Sequence, residues 1–452
     1  MKKYVAAMVP LAALMSIGTA SAQSAVTLFG IVDTGVSGYW NQAQGPLGIT
    51  ITTSQTMLTN SAYQTSRLGF KGTEDLGGGL RAGFWLEAGI NTDNGSGVGT
   101  DGAFEFNRRS TVSLESDFGE IRLGRDYTPT YWNDNLFDPF GVNGVGTSLI
   151  STAMGQTSPG SFKSGWSNPQ YQRASNSVGY FLPKLGGFYG QFMYAFNEAT
   201  SYDPGGLTPP GVAAIVANPA LAATADNARA GRYIGARVGY NIGPWDVALS
   251  YGESTVGSNF YLGTTSNINI WNLGGSYDFG VVKLFGEYSN NKMETSFATN
   301  TFNPFGTTNP GFNGVLIGAT IPVSGYDLIR VSYSAVRYNN TSTNVLGTTA
   351  NFFGFNDQPE ADKFAIGYVY NFSKRTAVYA TVAYLSNKNG AGLTVGGRPT
   401  SPCQSAASHR CRTSRTATTW DCATRSDLAG APARKDGTSM ATLPPIAHPL
   451  GS

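Results

Sequence analysis

The sequence predicts an all-β protein, an antiparallel transmembrane β-barrel, and three observations support this fold class. Of 452 residues, 13% are charged, against a usual share of roughly 25%, while 58 are glycine and 12% are aromatic. Segments of about ten residues alternate polar and apolar side chains, as half-buried strands do. Short turns and longer polar loops alternate along the chain, which is the pattern of a barrel with short turns at one rim and long loops at the other.

Composition excludes several other classes of protein. Lys and Arg number 30 against 28 Asp and Glu, so the formal net charge is +2 and no nucleic-acid partner is expected. The mean hydropathy of −0.15 is too polar for a bundle of membrane helices. The aromatic content also argues against a disordered chain, because such chains are poor in aromatics.

Residues 1–22 are predicted to be a secretory signal peptide. Lys2 and Lys3 supply the positive start, residues 4–17 are apolar, and Ala20 and Ala22 place small residues before a cleavage site at Gln23. About 14 apolar residues are too few to span roughly 30 Å of hydrocarbon. No later stretch has 18 apolar residues, so no transmembrane helix is expected.

The strands of the middle region each have one apolar and one polar face. Leu284 and Tyr288 alternate with Lys283 and Glu287, and an apolar set alternates with Lys363 and its neighbours: Phe364, Ile366, Tyr368, Tyr370 and Phe372. Faces that hold Arg, Lys and Glu suit a water-filled lumen better than a sandwich core. The apolar faces then meet lipid.

Seven short turns give the strand count. They lie at residues 74–80, 116–120, 182–187, 241–245, 278–282, 322–327 and 371–376. Seven turns join fourteen strands, and an N-terminal strand at about 25–39 makes fifteen. A closed antiparallel barrel with both termini at one rim needs an even number, so the design requires sixteen. Aromatics near the turns predict an interfacial girdle rather than ordinary surface aromatics: Tyr240, Trp245, Tyr277, Phe279, Tyr370 and Phe372.

Cysteine and histidine usage argues against an enzyme. All five such residues lie beyond position 400: Cys403, Cys411, Cys422, His409 and His448. The main domain therefore lacks a disulfide, a histidine base and a soft metal site, so we expect no cofactor and no metal. The alternatives were an outer-membrane lipase or protease, which needs a catalytic histidine, and a β-solenoid adhesin, which needs a short sequence repeat.

Several motifs occur together in one order along the chain. They are AVTLFGIVD (25–33), SRLGFKGTEDLGGGL (66–80), FNRR (106–109), DFGEIRLGRDY (117–127) and RASNSV (173–178). From its start to about Pro402 the chain resembles the general trimeric porins of Gram-negative bacteria, beta-proteobacterial branch. The resemblance implies a 16-stranded barrel for passive diffusion of small hydrophilic solutes and ions. It also implies a homotrimer in contact with outer-membrane lipid and lipopolysaccharide.

The resemblance further implies a constriction, where the third external loop folds into the barrel opposite an arginine cluster. That loop corresponds to the stretch between Tyr127 and Arg173 and contains Asp134 and Asp138. The matching motifs assign four wall arginines: Arg67, Arg108, Arg122 and Arg173. Opposed carboxylates and guanidiniums create a transverse field that penalises apolar solutes.

Alternation along the strands supports part of this set. Arg67 and Arg122 each alternate with apolar neighbours and should face the lumen, whereas Arg108 and Arg109 cannot be told apart. Further charged residues are expected to line the lumen without filtering: Arg81, Glu87, Arg237, Lys283, Glu287 and Arg330. The alternative for all these arginines is solvated decoration or rim salt bridges. The charge balance of the barrel is too even to decide between anion and cation preference.

Residues 402–452 differ in character from the barrel domain at 23–401. The segment has no Tyr, Phe or Glu, and strand alternation stops. We interpret it as an aberrant, disordered tail produced by a reading-frame shift near residue 402, with a genuine extension as the alternative. The last strand of the family pattern is then lost, and about fifteen remain.

Overall fold

The computed structural model describes residues 25–44, 49–155, 168–183, 185–198, 229–259, 264–297, 311–339, 343–345, 348–350, 358–389, 391–396 and 417–423. The predicted signal peptide at 1–22 lies outside the described residues, as does most of the predicted tail at 402–452.

The described residues form twenty strands and two short helices. The first half contains β1 (Ala25–Ile31), β2 (Thr34–Gln44), β3 (Thr50–Asn60), β4 (Arg67–Gly77), β5 (Leu80–Gly89), β6 (Arg109–Ser116), β7 (Gly119–Tyr127), α1 (Pro129–Phe137), α2 (Leu149–Gly155), β8 (Arg173–Phe181) and β9 (Phe188–Ala195). The second half contains β10 (Tyr233–Ile242), β11 (Trp245–Asn259), β12 (Thr264–Asp278), β13 (Lys283–Phe297), β14 (Gly311–Pro322), β15 (Asp327–Asn339), β16 (Thr343–Val345), β17 (Thr348–Ala350), β18 (Glu360–Asn371), β19 (Ala377–Lys388) and β20 (Ala417–Ala423). Short 3-10 turns lie at Thr100–Gly102 and Gly144–Gly146.

Eighteen of the described strands form one antiparallel ladder in chain order, while β16 and β17 form a separate two-stranded hairpin. Each strand from β4 to β14 pairs with the next, β15 pairs with β18, and β18 pairs with β19. β1 and β2 form one N-terminal wall strand interrupted at residues 32–33, since β1 pairs with β4 and β2 with β3. All seven predicted short turns connect neighbouring strands of this ladder, so the turn assignment is confirmed.

A short strand from the tail connects the two ends of the ladder. β20 pairs with Thr381–Asn387 of β19 and with Ser37–Gln42 of β2. The sequence pattern predicts about fifteen strands and the loss of the last one, whereas the structure adds this seven-residue strand from the anomalous segment. Its sequence, ATTWDCA, has β-prone Thr and Trp and neither Gly nor Pro. Two strand edges left open in hydrocarbon also favour pairing with any compatible segment.

The apolar faces of the strands point outward. In β18, Phe364, Ile366 and Tyr368 are 44–46% exposed, while the alternating Ala365 and Val369 are buried. Aromatic rings near the short turns pack on one another, with ring centroids 4.4 Å apart for Trp245 and Tyr277. Such an apolar outer surface is stable against lipid rather than water. Among the described residues, no helix is long and apolar enough to cross a membrane.

The buried core lies inside the barrel, where the segment between β7 and β8 has folded. Thr128 caps α1 by accepting from the Tyr131 backbone N–H, and Pro129 occupies the first turn, where no backbone donor is needed. α1 packs against β9 to β13, and α2 packs against β14, β15 and β18. Leu149 and Met154 are fully buried in this core. The segment 128–155 is thereby fixed against the inner wall.

Candidate functional site

A cavity of about 590 Å³ lies between the segment 128–155 and the inner wall of the barrel. Among the described residues, seven charged ones line it: Arg67, Glu87, Arg108, Arg109, Asp138, Lys283 and Arg330. Five of them are cations and two are carboxylates, so the lining carries more positive than negative groups. Arg67, Arg108 and Asp138 were predicted constriction residues, while Glu87, Lys283 and Arg330 were expected to be lining residues.

Glu87 of β5 organises one wall of this cavity. Its Oε1 lies 2.6 Å from Arg108 Nε and 3.7 Å from Arg67 Nε. Trp85 Nε1 donates to the second carboxylate oxygen at 3.0 Å. Glu87 and Arg108 are 5% and 8% exposed, so the pair is largely shielded from water. Charge-assisted bonds in such surroundings fix both side chains.

Tyr127 connects the arginines of neighbouring strands. Its hydroxyl accepts from Arg108 Nη2 at 2.8 Å and from Arg173 Nη2 at 3.0 Å. The Tyr127 ring stacks on Tyr131 of α1, with centroids 5.4 Å apart and planes inclined by 11°. Arg173 therefore joins the cluster through Tyr127 and is not among the residues that line the cavity.

Arg330 of β15 lines the same cavity and is held by two aromatic rings. Its guanidinium lies 4.6 Å from the ring centroids of both Tyr63 and Phe140. Its Nε and Nη2 have no hydrogen-bond partner among the described residues, although the side chain is buried. Stacking therefore positions this charge in the cavity wall.

Asp138 follows α1 and shapes the loop from within. Its carboxylate accepts from the backbone N–H groups of Phe140 at 2.9 Å, Val142 at 3.2 Å and Ser148 at 2.9 Å. Burial raises the pKa of Asp138 despite these donors. The residue touches the cavity, but its oxygens are engaged by its own loop.

Asp134 faces away from the cavity and fastens α1 to the barrel wall. Its carboxylate accepts from Asn272 Nδ2 at 2.7 Å and from the Tyr171 hydroxyl. The Glu287 carboxyl of β13 lies against it, and Glu287 oxygens find no donor among the described residues. Burial raises the pKa of Asp134. Arg237 adds a further attachment by donating to Asn133 of α1.

A second cavity of about 400 Å³ lies toward the short turns. Its charged lining consists of Lys71, Arg81, Arg109, Glu115, Glu120 and Arg122. Arg122 is paired with Glu120 at 2.7 Å and with Asp126 at 3.1 Å, and Arg81 pairs with Glu115 at 3.2 Å. The structure thus separates Arg122 from Arg67 and Arg108.

Sequence reasoning missed several members of the site. Arg109 lines both cavities, so Arg108 and Arg109 both face the lumen, because Arg108 precedes the first residue of β6. Tyr127 carried a signal, since it ends a recognised motif, but nothing in the sequence indicated that it bridges two arginines. Within the part of the chain that the structure describes, no group of three or more His, Cys, Asp and Glu could hold a metal.

An antiparallel barrel with an apolar outer face and a charged, partly filled lumen defines a class of protein, the outer-membrane channels. The family model for Gram-negative porins matches residues 6–390. The chain belongs to this family; it is a porin of the outer membrane, and it is a channel protein rather than an enzyme.

Individual relatives agree with this assignment. Outer membrane porin protein 32 of Delftia acidovorans is 36% identical over 388 residues, covering 85% of this chain and 91% of the relative. An outer membrane porin protein of Bordetella pertussis is 31% identical and covers 82% and 91%. Among solved structures, an anion-selective porin from Comamonas acidovorans matches with a TM-score of 0.61 at 30% identity, covering 89% of this chain and 98% of that chain.

Proposed function

We propose that small hydrophilic solutes and ions diffuse passively through the lumen, and that the segment 128–155 forms its constriction. We further propose that anions pass in preference to cations. The observation that carries this proposal is the charge of the main cavity, with five cationic groups against Glu87 and Asp138. Glu87 is held by two arginines, and Asp138 by three backbone N–H groups. Neither carboxylate is therefore free to attract a cation.

The placement of these charges supports filtering. Arg67 and Arg108 lie on one wall, while Lys283 and Arg330 lie on β13 and β15, and the loop that contains Asp138 lies beside both groups. Fixed charges with low-dielectric walls focus the local field and raise the concentration of the opposite ion. Entering such a field costs an apolar solute free energy, because the solute displaces oriented water. The printed description of the Comamonas relative as anion-selective supports the same preference.

Reversal potentials in planar bilayers test this proposal. With a KCl gradient across refolded protein, we expect discrete single-channel steps and a reversal potential displaced toward the chloride equilibrium value. Absence of steps would defeat the channel function. A reversal potential displaced toward the potassium equilibrium value at low salt would contradict the anion preference, although the channel function would still be supported.

We also propose that residues 1–22 are removed on export and that the barrel assembles as a homotrimer among outer-membrane lipid and lipopolysaccharide. The apolar outer faces support contact with lipid or with a neighbouring barrel, since such surfaces are unstable in water. N-terminal sequencing of the outer-membrane protein tests the cleavage. Chemical cross-linking in membranes, followed by denaturing gels, tests the trimer.

A further inference from the structure

A second segment folds in beside the constriction loop, at the rim opposite the short turns. Residues 391–396 follow β19, and Leu393 and Val395 are 2% and 0% exposed. They belong to the same buried cluster as Val145 and Leu149 of the constriction loop. Asn387 holds the segment in place, since it donates to the Leu393 carbonyl and accepts from the Leu393 N–H, both at 3.0 Å.

The backbones of the two segments are in direct contact. Gly396 has a φ of +107°, and a Cβ added there would lie 2.3 Å from Thr147 Cγ2 and 2.7 Å from the Gly144 carbonyl oxygen. A side chain would have to displace one segment or the other. Glycine thus permits a close approach that ties the position of residues 391–396 to that of the loop.

Lys363 of β18 joins the two segments from the barrel wall. Its ammonium donates to the carbonyl oxygens of both Thr147 and Val395, and the residue is 2% exposed. Asp138 is near enough to feel the positive charge of Lys363. Burying an ammonium is costly unless donors and charge are satisfied, so its location here reflects a specific arrangement of carbonyls.

We propose that Lys363 is a positioning residue of the pore, which fixes the constriction loop against residues 391–396. The cross-section open to solutes then depends on a segment nearly 250 residues further along the chain than Thr147. This inference rests on the proposed role of the segment 128–155 as the constriction. Lys363 contributes by holding two backbone carbonyls rather than by meeting the solute, since it is absent from the lining of the main cavity.

Single-channel recording of Lys363→Met tests the proposal, with Lys388→Met as the matched control. Lys388 is a half-exposed rim residue paired with Asp362 at 2.7 Å, so its replacement removes the same charge without touching the loop. We expect Lys363→Met to show added conductance levels and roughly two-fold larger open-channel current fluctuations, because a released loop moves on slower, larger scales than packed side chains. Lys388→Met should conduct steadily, like the unaltered chain.

Gly396→Ala provides a second route to the same outcome without any change of charge. We expect it to reproduce the fluctuations of Lys363→Met and to leave the reversal potential unchanged. Steady, single-level conductance from both variants, in folded and membrane-inserted form, would overturn the positioning role.

The double variant Arg67→Ser with Arg108→Ser separates the two proposals. Suppose that it shifts the reversal potential while the current fluctuations of Lys363→Met and Gly396→Ala remain those of the unaltered chain. In that case the charge filter is supported and the proposed role of Lys363 is wrong. If the double variant also keeps the original reversal potential, the proposed charge filter fails together with the role of Lys363.

Discussion

Glu87 and Arg108 form a buried ion pair, with 2.6 Å between Glu87 Oε1 and Arg108 Nε. Arg67 lies 3.7 Å from the same oxygen, so one carboxylate serves two guanidiniums. Removing one partner of a buried pair leaves an uncompensated charge, whereas the complete group keeps a net positive charge at the cavity wall. Glu87 therefore sets both the position of the two arginines and how much of their charge reaches a solute.

Glu87→Gln should increase the preference for anions. The substitution removes a negative charge within 4 Å of two guanidiniums and keeps the size of the side chain. An ion that passes about 4 Å from a fixed charge interacts with it by about 1 kcal/mol even in bulk water. That energy corresponds to roughly a five-fold change in permeability ratio. The ratio follows from reversal potentials in dilute KCl gradients. Glu115→Gln, near the short turns, is the control and should leave the ratio unchanged. An equal ratio in Glu87→Gln and the unaltered chain contradicts the central role of Glu87.

Replacing Arg67 and Arg108 together by serine should shift the reversal potential toward cations, because fixed positive charge at the proposed constriction repels cations. The shift should weaken in concentrated salt, where the Debye length falls to about 3 Å near 1 M. Arg337→Ser removes a rim arginine whose side chain is 75% exposed and provides the control. If the double variant keeps the original reversal potential at low salt, these arginines are solvated decoration without a filtering role.

Much of the barrel follows from local sequence. Strand alternation and turn residues act over a few positions, so all seven turns and the outward faces of strands such as β18 could be predicted. The lumenal direction of Arg67 followed in the same way, from its apolar neighbours. These features depend on contacts between residues that are close in the chain or directly paired in hairpins.

The interior of the barrel could not be predicted to the same depth. Asp134 and Asp138 lie four residues apart in one loop, yet Asp134 contacts Asn272 on β12, and Asp138 binds its own loop backbone. Which carboxylate touches the cavity depends on how α1 packs against strands more than a hundred residues away. The contact of Lys363 with Thr147 is of the same kind. No periodicity in the sequence encodes such pairings.

The attachment of α1 to β13 should weaken as the pH rises. Asp134 lies against the Glu287 carboxyl, with the Tyr171 hydroxyl as a donor to Asp134, and burial raises the pKa of Asp134. The docked loop therefore binds more protons than a released loop. The free energy that favours the docked over the released loop is therefore largest below the ordinary Asp pKa of about 3.9. It declines as the pH rises toward the raised pKa of Asp134 in the docked loop. We expect open-channel fluctuations to increase with pH.

Glu287→Gln checks this expectation, because an amide can donate to Asp134 and removes one of the two carboxyls. The variant should keep its fluctuations nearly constant over the same pH range. Glu294→Gln, an exposed position on the same strand that pairs with Lys292 at 2.5 Å, is the control and should behave as the unaltered chain does. An identical pH profile in Glu287→Gln and the unaltered chain would show that the carboxyl pair does not govern docking.

The tail strand β20 should limit how well the barrel closes. It covers Ser37–Gln42 of β2 and Thr381–Asn387 of β19, while β1 has a described partner only in β4. Each unpaired backbone group in hydrocarbon costs several kcal/mol, against a total domain stability of roughly 5–15 kcal/mol. Proline in the middle of β20, as Thr419→Pro, removes a ladder donor and should reduce the folded fraction, as should deletion of residues 402–452. Asp436→Pro, outside the strand, should have no effect.

Replacing the tail by a regular alternating strand of about ten residues that ends in Phe should raise the folded fraction above that of the unaltered chain, because it covers both edges. Heat-modifiable gel mobility and outer-membrane fractionation measure all five forms. Equal folded amounts in Thr419→Pro, the deletion and the unaltered chain would show that β20 does not close the wall. An unaltered chain that folds as fully as the version with the regular strand would show instead that the short strand suffices, which would argue against a lost final strand.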